Sequence, residues 1–479
     1  MATRHPLTMT TLNPNIKKMA YAVRGPVVTR ACEIEDELRK GLKKPFDAVV
    51  KADIGDAHAM GQTPITFIRQ VLALVNYPPL LNEPLFPADA KQRARAILGA
   101  CKAGSVGAYT ESAGIELIRR HVADYIERRD GIPSDWRNIV LTTGGSEAIR
   151  SVLRLLLSGA GDDPVGVMVP VPMFPLYSVT LTEYGMHRVD YYPDEDNDWA
   201  LDVSELERAA REARKICALR AIVVINPGNP TGQVLTRGNI EEIIRFAHRE
   251  KLFVLADEVY QQNVYGDGVP FVSFKKALSG MPCRDDVQIA SFMSCSKGYA
   301  GECGARGGYV ELINVSSEVM AEYLKSVVVN MCPAVSGQAC LEAIVNPPAA
   351  GEPSFESYRE EKARVLASLE LKARMVTDAL SSVEGFSCNS IRGAMYAFPR
   401  LRLPPKAAEA AAERGLEPDT FYAFRLLEET GLCVVPGNNF GQKPGTYHFR
   451  MTILPSPGDL HAMLRRLASF HAEFMRTYS

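Results

Sequence analysis

The stretch Ser294-Cys295-Ser296-Lys297-Gly298-Tyr299 sets one lysine in a run of small and hydroxyl-bearing residues, and Gly304-Ala305-Arg306-Gly307-Gly308-Tyr309 follows it closely. An apolar segment, Val287-Gln288-Ile289-Ala290-Ser291-Phe292, leads into it. A buried lysine can lose its proton and form a Schiff base with an aldehyde. Serines and an arginine beside it can hold a phosphate. The pattern suits an aldehyde that also carries a phosphate. Most lysines are solvated, however, so the stretch alone does not separate that chemistry from an ordinary surface lysine. The surrounding motifs bear on the choice.

Working outward, the run Leu252 to Ala256 reads as a buried strand that ends in Asp257-Glu258-Val259-Tyr260. Ala221 to Ile225 is another, ending in Asn226-Pro227-Gly228-Asn229-Pro230-Thr231-Gly232, with a helix from about Gly238 to Arg249. Val165 to Val169 is a third. It runs into Pro170-Val171-Pro172-Met173-Phe174-Pro175-Leu176-Tyr177, too proline-rich to be expected as strand or helix. Phe174 on such a loop could stack on a flat ring or simply pack in the core. Earlier still, Ile139-Val140-Leu141 precedes Thr142-Thr143-Gly144-Gly145-Ser146-Glu147-Ala148-Ile149, which opens a helix expected to reach Leu157 and stop at Gly159. A glycine pair and serine at a helix start leave backbone N–H groups for a phosphate, although Ser146 would serve equally as a plain cap. Ile289 to Met293 and Gly308 to Leu312 complete the strands. Strands alternating with helices imply a mostly parallel sheet with covered faces. Ligands in such sheets bind beyond the carboxyl ends of the strands. The Asn229, Asp257 and Lys297 motifs each follow a strand directly, so they are expected to converge on one edge.

The flanks read differently. Residues 1–50 suggest an arm with an amphipathic segment from Ala31 to Leu42. A strand edge at Lys51-Ala52-Asp53-Ile54-Gly55-Asp56 follows, then a short helix from Thr66 to Leu74. Gly104 to Tyr109 is a glycine-rich loop. Apolar residues at 115, 118, 122, 125 and 126 have helical spacing, and Asp130-Gly131 ends that helix. After about residue 340 the pattern changes. Asn346-Pro347-Pro348 breaks the chain, and a long helix runs from about Ser354 to Leu380. Short strands at Gly393 to Phe398 and Leu432 to Val435 enclose a helix around Asp419 to Glu429. A strand at His448 to Thr452 precedes a last helix from Asp459. The expected organisation is an arm, with part of a small domain, over 1–50; a large domain over 51–345; and a small α+β domain over 346–479.

Composition excludes several classes. The chain has 479 residues, 46% hydrophobic and 23% charged, with a net charge of −2, so it shows no footprint for nucleic acid or an anionic membrane. No apolar run approaches the roughly 20 residues that span a bilayer. The ten cysteines include no CxxC and the eight histidines no HxxxH. Reduced thiols and no metal are expected. The first 32 residues hold no Asp or Glu but five basic residues, Arg4, Lys17, Lys18, Arg24 and Arg30. That faintly suggests a transit peptide, against the simpler reading of an arm crossing onto a partner subunit. The expected compartment is the cytoplasm, with the mitochondrion as the alternative.

With Gly144-Gly145-Ser146, Asn229-Pro230-Thr231-Gly232, Asp257-Glu258-Val259-Tyr260, Ser294-Cys295-Ser296-Lys297 and Arg450 in this order, essentially the whole chain resembles fold-type I aminotransferases dependent on pyridoxal 5′-phosphate (PLP). Three longer stretches resemble the alanine-specific branch: Leu12-Asn13-Pro14-Asn15 onward to Gly25-Pro26; Ile54 to His58 with Gly61-Gln62; and Lys297 to Tyr309. The resemblance implies a large PLP-binding α/β domain and a smaller α+β domain. It implies that Lys297 carries PLP and shuttles the proton, that Asp257 faces the ring nitrogen, and that Tyr260 and Asn229 hold the ring oxygen. Phe174 would stack on the ring. Gly145, Ser146, Ser294, Ser296 and Arg306 would bind the phosphate, joined by Tyr109 from the neighbouring subunit of a homodimer. Arg450 would clamp the substrate carboxylate, with Gly55 and Asn229 beside it. The implied reaction is ping-pong transfer from L-alanine to 2-oxoglutarate, giving pyruvate and L-glutamate. Glutamate:glyoxylate or aromatic-type transamination, another PLP chemistry such as elimination, and a non-catalytic member stay open.

Overall fold

The computed structural model describes residues 5–19, 25–157, 163–266, 268 and 270–479. Arg4, Arg24 and the helix stop expected at Gly159 lie outside the described residues.

The central sheet has seven strands. They are β1 (Ile139–Thr142), β2 (Val165–Pro170), β3 (His187–Tyr191), β4 (Ala218–Ile225), β5 (Phe253–Asp257), β6 (Ile289–Ser294) and β7 (Gly308–Ile313). Their spatial order is β1-β7-β6-β5-β4-β2-β3. Neighbours from β6 through β3 pair in parallel, while β7 runs antiparallel to both β6 and β1. β1, β2 and β6 are buried at every position, so they read as continuous apolar runs rather than as alternation. Helices cover the sheet on both faces. One side gathers Ile149, Val152 and Leu153 with Val167 and Val223; the other gathers Ile240, Ile243 and Ile244 with Ile222 and Val254.

Registry decides what meets at the carboxyl edge. Ile225 pairs with Asp257, and Asp257 with Phe292. Ser294 and Thr142 both pair with Gly308. The reversed strand β7 therefore begins where the others end, which brings Arg306 to the same edge. Side chains are excluded there: a Cβ on Gly308 would lie 2.8 Å from Met293 O and 3.0 Å from Gly145 N.

Three expectations need correction. The segment after β2 does not stay irregular. Pro170 is the last residue of β2, and a helix runs Pro175–Tyr184 with Pro175 in its first turn. Proline is tolerated there because that N–H lacks a helical partner anyway. The cap of the Gly145–Leu155 helix is Gly144, not Ser146, and it makes no side-chain capping bond. The strand expected over Gly393 to Phe398 shrinks to Tyr396–Ala397, because Ala394 takes a positive φ of 58°.

The second layer is a small antiparallel sheet in which Tyr396–Ala397 and Arg400–Leu401 both pair with Tyr447–Thr452, and Val435–Pro436 pairs with the same strand. The helices Phe355–Ser381, Pro418–Thr430 and Pro457–Tyr478 pack around it. Val27, Ala31 and Ile34 of the helix Pro26–Arg39 join this core, beside Leu426 and Phe470. Val50–Lys51 pairs in parallel with Leu432–Cys433, tying the early chain to the late one.

Candidate active site

The carboxyl edge opens into a cleft of about 220 Å³. Ten of the expected residues line it: Gly145, Ser146, Phe174, Asn229, Asp257, Tyr260, Ser294, Ser296, Lys297 and Arg306. They come from the ends of β1, β2, β4, β5 and β6 and the entry to β7, as a shared carboxyl edge requires.

Lys297 follows β6 and donates from Nζ to Gly55 O at 2.6 Å. Its Nζ lies 6.0 Å from the centre of the Tyr260 ring. The amine is half-buried and reaches the cleft, so it can meet a carbonyl there. Gly55 thus enters the site through its backbone.

Asp257 ends β5. Its Oδ2 accepts from Tyr177 Oη at 2.9 Å, while Oδ1 is buried with no partner. Burial pushes its pKa up to about 6, against the Tyr177 hydrogen bond, which lowers it. A carboxylate with one free oxygen at the wall of a cleft has an uncompensated desolvation cost. A protonated ring nitrogen would remove that cost. The next residue has a different fate, because successive strand side chains face opposite ways. Glu258 accepts from Phe274 N at 2.8 Å and Ser291 Oγ at 2.5 Å, and burial raises it to about 7. It is a structural carboxyl on the covered face.

Tyr260 Oη donates to Tyr396 Oη at 3.2 Å. Burial raises the Tyr260 phenol far above its ordinary range. Burial acts the same way on Tyr396, but the positive charges of Lys297 and Arg450 and the Tyr260 hydrogen bond outweigh it, and its pKa falls. Tyr260 is therefore the donor of the pair.

The opposite end of the cleft is a cradle for an anion. Gly144 has φ 82° and ψ 165°, a conformation open in practice only to glycine. A Cβ there would stand 2.5 Å from Arg306 Nη2. The helix start at Gly145 and Ser146 presents its dipole and N–H groups to this corner. Ser294 Oγ donates to Ser296 Oγ at 3.0 Å, and Arg306 Nη1 donates to Cys303 O at 2.9 Å. Two serines, a guanidinium and a helix N-terminus fit a phosphate. Together with the lysine and the unpartnered Asp257 oxygen, these residues fit PLP.

Two expected residues lie elsewhere. Arg450, on the strand Tyr447–Thr452, is only 2% exposed and does not line the cleft. Its Nη1 donates to Asn229 Oδ1 at 3.3 Å and its Nη2 to Asp53 O at 2.6 Å, while Nε is buried without a partner. The guanidinium is packed between the rings of Tyr396 at 4.2 Å and Phe440 at 4.7 Å. It borders the cleft through Asn229. Tyr109 is 65% exposed and takes no part in the cleft of its own chain.

Sequence reasoning missed two contributors. Tyr177 stands three residues after Phe174, so helical spacing could have found it once Pro175 was read as a helix start. Tyr396 gave no signal. It sits over Gly55 so closely that a Cβ on Gly55 would come 1.8 Å from its hydroxyl. Among the described residues, no group of three or more His, Cys, Asp or Glu side chains is placed to hold a metal.

Comparison with known proteins agrees with this arrangement. Residues 74–467 match the family model described as aminotransferase class I and II. The chain is 56% identical to alanine aminotransferase 1 of Homo sapiens over 99% of this chain and 96% of that protein. It is 44% identical to the probable mitochondrial alanine aminotransferase of Dictyostelium discoideum, over 100% of this chain and 91% of that one. The alanine aminotransferase structure from Pyrococcus furiosus superposes with a TM-score of 0.75 at 23% identity, covering 96% of this chain and 99% of that one. A lysine, an aspartate and an anion cradle at one sheet edge, on this fold and with these relatives, have one family explanation: the chain belongs to the aminotransferase class I and II family, whose members are generally PLP-dependent and act on amino acids and 2-oxo acids.

Proposed function

We propose that the protein transfers the amino group of L-alanine to 2-oxoglutarate, giving pyruvate and L-glutamate, with PLP held at Lys297. The observation that carries this reading is the 56% identity, over 99% of the chain, to a protein named for that reaction. The cleft supports it, because Lys297, Asp257 and Tyr260 line one space with the anion cradle.

PLP bound here would supply an electron sink for the chemistry at the substrate Cα. Lys297 holds the cofactor and, once its Nζ is free, takes the proton from the substrate Cα and returns it as acid. Asp257 keeps the ring nitrogen protonated. Tyr260 and Asn229 would hold the ring oxygen, and Phe174 would pack against the ring. Gly145, Ser146, Ser294, Ser296 and Arg306 hold the phosphate with charge-assisted bonds. Arg450, which borders the cleft through Asn229, would clamp the α-carboxylate with its guanidinium, with Asn229 and Gly55 beside it. Both half-reactions share one site, so the first product leaves before the second substrate binds and ping-pong kinetics are expected.

The assembly we propose is a homodimer in which Tyr109 completes the partner's phosphate site. Tyr109 is exposed, Val329 and Met331 are 76% and 53% exposed, and Ser112, three residues after Tyr109, donates from Oγ to Met331 O at 2.7 Å. The domain organisation we propose is the arm at 1–50, the large domain at 51–345 and the small domain at 346–479. Among the described residues no helix is long and apolar enough to cross a membrane. We assign the chain to the cytoplasm, the mitochondrion being the alternative raised by the Dictyostelium relative's name.

The test is a panel of amino donors against 2-oxoglutarate and glyoxylate with both products identified. Alanine with 2-oxoglutarate is expected to be the preferred pair. Preference for glyoxylate or for an aromatic donor, or ammonia as product, would overturn the assignment.

A further inference from the structure

A second cleft, of about 270 Å³, lies between the loop Met60 to Ile65, the long helix Phe355–Ser381 and the turn after the strand Tyr447–Thr452. None of its lining residues lines the Lys297 cleft. We propose that it is a binding site for a small organic monocarboxylate with an apolar body, independent of the reaction cleft.

The helix contributes one face. Glu361, Arg364, Val365, Ser368, Leu369 and Lys372 recur at helical spacing and all line the cleft. Their charges are unequal in what they already do. Both oxygens of Glu361 are occupied, by Thr66 N at 2.8 Å and Thr66 Oγ1 at 2.6 Å. Lys372 Nζ has one acceptor, Leu454 O at 2.9 Å, and burial lowers its pKa. Arg364 lines the cleft with no hydrogen bond or ion pair among the described residues. Two cations against one engaged carboxylate leave an excess of one positive charge, which a monocarboxylate balances and a dianion overshoots.

The guanidinium fork is shaped for a carboxylate, and a partly desolvated ammonium strengthens any anion beside it. Between Arg364 and Lys372, one turn from each, Ser368 has a hydroxyl with no hydrogen-bond partner among the described residues. Much of the remaining wall is apolar, from Met60, Ile65, Val365, Leu369, Leu454 and Pro457, with Gln62, Thr63 and Ser456 among them. A ligand with a charged head and a hydrocarbon body satisfies both halves of the lining, whereas water satisfies only the first.

The walls are well anchored, so the cleft is a formed feature. Gln62 Nε2 donates to Tyr299 O at 2.9 Å, and His58 Nε2 lies 3.0 Å from Ala300 O. Leu454 N bonds Thr452 Oγ1 at 3.3 Å.

The experiment is ligand-observed NMR and calorimetry on the holoenzyme, with hexanoate as the probe and its neutral isostere hexanamide as control. Both are run with the reaction cleft saturated by 2-oxoglutarate. Hexanoate is expected to bind under saturation, and hexanamide to bind at least about tenfold more weakly, the loss expected for one charge-assisted contact. Arg364→Gln and Lys372→Met should each weaken hexanoate to a similar degree, and Ser368→Trp, which fills the cleft, should abolish it. Arg364 is exposed and unpartnered, so Arg364→Gln leaves the fold unperturbed, and an unchanged melting temperature checks this. Displacement of hexanoate by 2-oxoglutarate, equal binding of hexanamide, or binding indifferent to Arg364→Gln and Ser368→Trp would each overturn the proposal.

Discussion

At the scale of single residues, the account rests on a few groups with distinct jobs. Lys297→Ala is expected to lower turnover by about 10³-fold or more, because one amine is both anchor and proton carrier. Single-turnover kinetics with a rescue amine such as methylamine checks this, and ordinary steady-state turnover would contradict it. Asp257→Ala should retain PLP but lose activity by about 10²-fold, read as kcat rather than KM. Arg450→Lys should raise KM for both alanine and 2-oxoglutarate by about tenfold, since lysine keeps the charge but not the paired donors. A change confined to one substrate would show that Arg450 is not the shared clamp. One buried residue far from the cleft sets an acid limit. His471 is 1% exposed, and its Nδ1 lies 3.1 Å from Tyr422 Oη. Burial lowers its pKa from 6.5 to about 4, opposed by the backbone carbonyl of Glu384, which favours the protonated ring. The unfolded chain takes up this proton first, so the contribution is complete above about pH 6.5 and is lost as pH falls towards 4. His471→Leu should therefore show a smaller fall in melting temperature between pH 7 and pH 4.5 than the wild type.

At the scale of elements, the sequence was legible where one physical signal dominated. Ala221 to Ile225 and Ile289 to Met293 are buried on both faces, so their apolar runs announce parallel strands, and the motifs after them land where strand ends must lie. The strand His187–Tyr191 gave no such run, because it is an edge strand with alternating exposure. The reversal of β7 was also invisible, since register and direction are tertiary properties. Yet it is this reversal that delivers Arg306. The helix Pro175–Tyr184 was hidden because prolines were counted as breakers without regard to position. Tyr396 was hidden because its role comes from a hydroxyl that meets Tyr260 across the two layers. The cradle at the start of the Gly145–Leu155 helix makes its own prediction. Gly144→Ala forces a side chain into a conformation costing about 1–3 kcal/mol and against Arg306. Fluorescence titration should show PLP affinity reduced by about tenfold or more with the helix content unchanged. Undiminished affinity would mean that the cradle does not hold the phosphate.

At the scale of the whole molecule, the single chain leaves Tyr109 exposed and outside its own cleft. If the partner's Tyr109 completes each site, mixing Lys297→Ala with Tyr109→Glu should restore activity after subunit exchange, because one site of the mixed dimer keeps both intact side chains. No recovery despite demonstrated exchange would contradict the shared site. The most direct measurement concerns the transfer itself. Purified holoenzyme is mixed with excess L-alanine and no acceptor, and pyruvate is counted by mass spectrometry. The account predicts one pyruvate per Lys297 site and no free ammonia, with the nitrogen then recovered as L-glutamate when 2-oxoglutarate is added. Continuous pyruvate with ammonia, or no stoichiometric pyruvate from alanine, would contradict it.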